Sequence, residues 1–140
     1  MIDQVTVFLE NSTGHLAALC KALGDAGVSM HALTVADTAS YGVVRIIADE
    51  PARAYEVLNA QGFRASLTKV YAVEVADEPG GLARLLESLD TADINVEYAY
   101  CFSTNANKAV DVLRLSAAEG AEEAIAAAGC RLLTPDELYS

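Results

Sequence analysis

The chain has 140 residues, 53% of them apolar and 21% charged, which suits one ordinary globular domain or two small ones built on a core. A formal net charge of −11 leaves no basic patch for nucleic acid and repels anionic membranes, and no apolar run approaches the length of a bilayer span. Cys20, Cys101 and Cys130 are odd in number and far apart, and neither His15 nor His31 has a companion at ligand spacing, so no disulfide framework, metal or cofactor is expected. The N-terminus lacks the basic and apolar regions of a signal peptide, which makes the cytoplasm the expected location.

Val5, Val7 and Leu9 alternate and predict a strand, after which Leu16, Leu19, Cys20 and Leu23 fall on one helical stripe that stops at Gly27. Alternation returns from Met30 to Asp37, a turn follows at residues 40–42, and residues 43–47 are rich in β-branched types, so the second and third strands form a hairpin. Asp49 is placed to cap a second helix that carries Pro51 in its first turn and ends at Gly62. Residues 63–67 read as a short fourth strand.

The order strand, helix, strand, strand, helix, strand fills residues 1–68, and residues 69–140 repeat it. At an offset of 66, Val7 falls on Val73, Gly14 on Gly80, Leu19 on Leu85 and Leu23 on Leu89; past the hairpin the offset is 67, with Val43 on Val110 and Gly62 on Gly129. Ser116-Ala117-Ala118-Glu119 reads as a capping box for the last repeated helix. The fold class is therefore α+β: two ferredoxin-like βαββαβ units packed in tandem, each an antiparallel sheet with its helices on one face. Units this small remove little surface from water alone and gain from packing together.

Each unit turns from its first strand into its first helix through a glycine, in Asn11-Ser12-Thr13-Gly14-His15-Leu16 and again in Asp77-Glu78-Pro79-Gly80-Gly81-Leu82. The helix that follows opens with amide groups lacking an internal partner, and that end of a helix attracts carboxylates. The simpler reading stands beside this one: any tight strand-to-helix turn wants the glycine, and Asn11 or Ser12 can serve only as a cap.

Two tandem βαββαβ halves, the run Asp77-Glu78-Pro79-Gly80-Gly81-Leu82 and the strand entry Asp93-Ile94-Asn95-Val96 resemble the ACT domain family over almost the whole chain. The family pattern D-x-P-G-x-L is complete in the second half, whereas the first keeps only Gly14 and Leu16. The resemblance implies a regulatory module that binds an amino acid between two such domains, and it places ligand contacts at the turns and at the entry to the second strand of each unit. Neutral amides can donate to a carboxylate and accept from an ammonium group. The expected site therefore joins Asn11, Ser12, Thr13, Gly14, His15 and Leu16 of the first half to Asn95, Val96 and Tyr98 of the second. A weaker site would use Asp77, Pro79, Gly80, Gly81 and Leu82 with Ser29 and Met30.

No nucleophile has a base and an orienting partner at a known spacing, so no enzymatic activity is expected. The expected function is allosteric regulation of a partner enzyme of unknown identity by a free amino acid, with no nucleic acid and no membrane; the partner could also be a second copy of the chain, giving a homodimer. The alternative is a docking subunit that binds no small molecule. Pairing the halves through their second strands would put the ends to be joined about 29 Å apart, six strand spacings, whereas four extended residues around Thr68 span only about 14 Å. Either the halves exchange their last strands, or they pair along other edges, or residues 63–75 form one long strand bridging both sheets; exchange is the favoured solution, with residues 134–140 then covering an outer edge.

Overall fold

The structure, a computed structural model, describes residues 1–10, 12–37, 41–103 and 108–139. It comprises two compact units: Asp3–Thr68, here the N-terminal unit, and Lys69–Ser140, the C-terminal unit, with which Met1–Ile2 group.

The N-terminal unit is built from β1 (Ile2–Glu10), α1 (His15–Asp25), β2 (Met30–Asp37), β3 (Tyr41–Ala48), α2 (Pro51–Ala60) and the opening of β4 (Arg64–Ala76), with strand order β2-β3-β1-β4. Strand alternation sends Val5, Val7 and Leu9 to the same face as Val44 and Ile46, where Leu19 and Leu23 of α1 and Leu58 of α2 cover them. Each such side chain contributes roughly 1.5–3 kcal/mol by leaving water. On the other face the Thr6 and Thr68 hydroxyls lie 2.9 Å apart.

The C-terminal unit repeats the plan with the remainder of β4, α3 (Gly81–Thr91), β5 (Val96–Ser103), β6 (Lys108–Leu115), α4 (Ala121–Ala127) and β7 (Arg131–Leu132), followed by the short helix α5 (Pro135–Tyr139). Its order is β5-β6-β4 with β7 on the other side of β4. Val73, Val75, Leu113 and Leu115 meet Leu85 and Leu89 of α3 and Ile125 of α4. The Ser88 hydroxyl donates to the Ala124 carbonyl at 2.5 Å, tying the two helices together. Both units are α+β, antiparallel, with helices on one face.

Three expectations are corrected. The short strand at residues 63–67 is the first part of a 13-residue strand, Arg64–Ala76, that ends one unit and begins the next. No glycine, proline or asparagine interrupts this stretch, so nothing in it breaks the extended conformation. There is accordingly no exchange of last strands: β7 pairs within its own unit, Leu132 opposite Val73 and Arg131 opposite Glu74, and the segment expected to cover an edge forms α5 instead.

The third correction concerns caps. Asp49 does not cap α2, whose N-cap is Glu50 without a side-chain bond, and Ser116 does not cap α4, whose N-cap is Gly120. Each instead reaches back to the entry of the hairpin's first strand. The Ser29 amide donates to Asp49 Oδ1 at 3.0 Å while the Asp49 amide donates to the Ser29 carbonyl, and the Asn95 amide donates to Ser116 Oγ at 3.1 Å while the Ser116 amide donates to the Asn95 carbonyl. Closing a hairpin end satisfies two strand-entry backbone groups at once, which outweighs one helix cap.

Candidate functional site: two glycine turns and the clefts beside them

Gly14 and Gly80 both lie in the left-handed region, at φ 91° and 85°, where an L side chain is strained. The turns match bond for bond. Ser12 N–H donates to the Glu10 carbonyl and Ala18 N–H to Gly14, as Glu78 N–H donates to Ala76 and Arg84 N–H to Gly80. No side chain caps α1 or α3, and among the described residues nothing accepts from the amides of Leu16 and Ala17 or of Leu82 and Ala83. Those are the groups expected to meet a carboxylate. Asn11 lies outside the described residues; Ser12, Thr13, Asp77 and Pro79 are exposed beside the two turns. His15 Nε2 sits 3.9 Å from Glu10 Oε2. Leu16 and Leu82 stand 38% and 42% exposed at equivalent positions, available to a ligand or a partner.

At the strand entries, Asn95 and Val96 line a cleft of about 380 Å³ with Leu86, Asp90, Asp93 and Ile94. The Asn95 backbone is held by Ser116, and its carboxamide makes no hydrogen bond among the described residues. Tyr98 does not join this cleft's lining. A β-bulge between Val96 and Tyr98 sets Val96 opposite Leu115, on the helix side, and Tyr98 opposite Arg114, on the other side. The same bulge follows Met30 in β2, so Ser29 and Met30, the latter 37% exposed, precede an equivalent flip.

Sequence reasoning did not single out the larger clefts. Two of them, about 390 and 560 Å³, share Phe8, Leu9, Glu10 and Arg64 of the N-terminal unit. The first adds Gly14, His15 and Phe63, and the second adds Tyr41. The counterpart in the C-terminal unit holds about 290 Å³ and is lined by Glu74, Val75, Ala76, Gly129 and Arg131. There Arg131 donates to Glu74 at 2.8 Å and also to Glu137, while Arg84 donates to Glu78 at 2.6 Å. The Arg131 pairing, and then the bonds from Thr134, hold the Glu137 carboxyl below its ordinary pKa. Arg64 occupies Arg131's position in the repeat, yet it has no hydrogen bond or ion pair among the described residues.

The C-terminal core also holds a carboxyl. Asp111 is 4% exposed on the helix side of β6, opposite Val73 and Cys101, and burial pushes its pKa up. Burial likewise raises the Cys130 thiol, which Arg84 partly offsets. The N-terminal unit has Val44 where Asp111 stands. Among the described residues no cluster of His, Cys, Asp and Glu could hold a metal ion, and no helix is long and apolar enough to cross a membrane.

A family model described as an ACT domain pair matches residues 1–139. The chain belongs to the ACT domain family. Its fold is similar to that of protein BT0572 from Bacteroides thetaiotaomicron, at 31% identity and a TM-score of 0.91 over 99% of this chain and 95% of that one. It is also similar in fold to the regulatory subunit of aspartate kinase from Thermus thermophilus, in its ligand-free form, at 20% identity, a TM-score of 0.69 and 91% and 90% coverage. The corresponding subunit from Thermus flavus gives 19% identity, a TM-score of 0.64 and the same coverage. No curated protein matches the chain. Membership gives this ACT domain pair a regulatory rather than a catalytic role.

Proposed function

We propose that this ACT domain pair binds a free amino acid and passes the binding event to a separate enzyme in the cytoplasm. The carrying observation is the pair of matching turns at Gly14 and Gly80, each leaving two helix-first amides without an acceptor among the described residues. Such amides suit a carboxylate, and the free carboxamide of Asn95, beside Asp90 and Asp93, suits an ammonium group. In this reading the ligand is held by Asn11, Ser12, Thr13, Gly14, His15 and Leu16 with Asn95 and Val96, and less strongly by Asp77, Pro79, Gly80, Gly81 and Leu82 with Ser29 and Met30. A ligand of this kind shifts a two-state regulator only by its difference in affinity between the states. Aspartate kinase, whose Thermus regulatory subunits share the fold, is the first partner to test.

A thermal-shift scan of the proteinogenic amino acids at millimolar concentration tests the reading, because a ligand selective for the folded state raises the melting temperature. At least one should do so, and the rise is then followed in the folded Asn11→Ala, Asn95→Ala double variant: its loss assigns the ligand to the turn and strand-entry residues, and its survival assigns the ligand elsewhere on the chain. If all leave it unmoved, the chain is a docking subunit that takes no amino acid.

A further inference from the structure

The N-terminal unit has kept an arginine and lost everything that neutralises it in the repeat. In the C-terminal unit Arg131 is consumed by Glu74 and Glu137, and Arg84 projects from α3 to pair with Glu78. The repeat aligns Glu74 with Phe8, Arg84 with Ala18 and Arg131 with Arg64. With Phe8 in place of the carboxylate, Arg64 has no ion pair among the described residues. The two clefts beside it share Phe8, Glu10 and Arg64, and Glu10 and Arg64 make no ion pair with each other. Phe8 and Tyr41, 49% and 50% exposed, both line the larger cleft, whereas Phe63 lines only the smaller one.

A cation and an anion that do not pair, beside two aromatic rings, suit an α-amino acid with a large apolar side chain. We propose that the larger of these clefts, about 560 Å³, is an amino-acid site, in which Arg64 pairs with the ligand carboxylate, Glu10 with its ammonium group, and Phe8 and Tyr41 flank the side chain. A guanidinium offers a planar fork that fits a carboxylate, and an unspent one needs no internal pair broken before it binds. The equivalent C-terminal cleft would have to break the Arg131 pairs first, so it stays empty. The assignment rests on the amino-acid reading above but uses residues of one unit only, and none of Asn11, Asn95 or Tyr98.

Calorimetric titration of the full chain with L-phenylalanine, L-leucine and L-methionine tests it, alongside 2-phenylethylamine, which lacks the carboxylate, and 3-phenylpropanoate, which lacks the ammonium group. At least one of the three amino acids should bind. Arg64→Gln should weaken it more than tenfold, and Phe8→Glu, which recreates the Glu74 arrangement, should do the same by giving Arg64 an internal partner. Both variants should keep the parent's unliganded melting temperature, since Arg64 is exposed and unpaired. Each truncated analogue should bind at least tenfold more weakly than L-phenylalanine. Binding by Arg64→Gln within twofold of the parent overturns this site while leaving amino-acid binding intact, as does a response confined to polar amino acids. Loss of binding only in the Asn11→Ala, Asn95→Ala double variant also overturns it. Failure of every proteinogenic amino acid removes both readings together.

Discussion

One end of each sheet carries an arginine at the same place in the repeat, and the two arginines have opposite fates. Arg131 in the C-terminal unit is closed in by Glu74 and Glu137, whereas Arg64 in the N-terminal unit faces Phe8 and a cleft of several hundred Å³. The polar centre has moved the other way: Asp111 sits in the C-terminal core where the N-terminal unit has Val44. A duplicated fold has therefore kept its cores and turns and divided its surface chemistry, with one half braced by internal ion pairs and the other left open. Exposed ion pairs stabilise by little, so closing the C-terminal cleft adds little to stability.

The comparison can be sharpened by substitutions made in matched pairs. The cores should respond alike: Leu19→Ala and Leu85→Ala each remove a fully buried side chain and should each cost about 2–5 kcal/mol, measured by urea unfolding of the full chain. A several-fold imbalance between them would show that one unit carries the fold of the other.

The turns should respond differently. A Cβ on Gly81 would lie 2.4 Å from the Ala76 carbonyl oxygen, so Gly81→Ala should destabilise by about 1–3 kcal/mol. Its counterpart is His15, 42% exposed and already carrying a side chain, and His15→Ala should be nearly silent in the same unfolding curves.

Replacing Asp111 with the residue of the other unit, Asp111→Val, should stabilise by about 1–3 kcal/mol at neutral pH, because a buried carboxylate with no hydrogen-bond partner among the described residues costs free energy. Its folded pKa is raised, so its protonated form favours the folded state at low pH, and that contribution is lost as pH rises through the raised value. Asp111→Asn should flatten this slope in stability measured across the acid range.

The smallest effect is expected where Asp93 adopts φ 59°, the conformation that Gly27 adopts at φ 74° in the other unit. Asp93→Gly should leave stability within about 1 kcal/mol of the parent in equilibrium unfolding, since the strain relieved and the chain entropy lost oppose each other.

The repeat made most of the fold legible. Glycines at matching offsets and leucines at helical spacing placed the four helices of the repeat, though not α5, and β2 begins and ends at the residues its alternation marks, Met30 and Asp37. Capping was misread because Asp49 and Ser116 have a local competitor for their oxygens, a strand-entry amide some twenty residues earlier in the chain, and that competitor is visible only once the hairpin is folded. The bulges at the starts of β2 and β5 leave no mark in residue type, and they are what parts Tyr98 from Val96. Arg64 could have been found. Laying Phe8 against Glu74 and Arg64 against Arg131 shows an arginine conserved within the repeat and its carboxylate partner missing.

The most direct test is an amide-resolved NMR titration of the full chain with whichever amino acid gives the largest thermal shift. The account predicts that the amides of Gly14, Leu16, Ala17 and Arg64 move and saturate together. A titration that moved none of them, or moved only Gly80, Leu82 and Ala83, would contradict it.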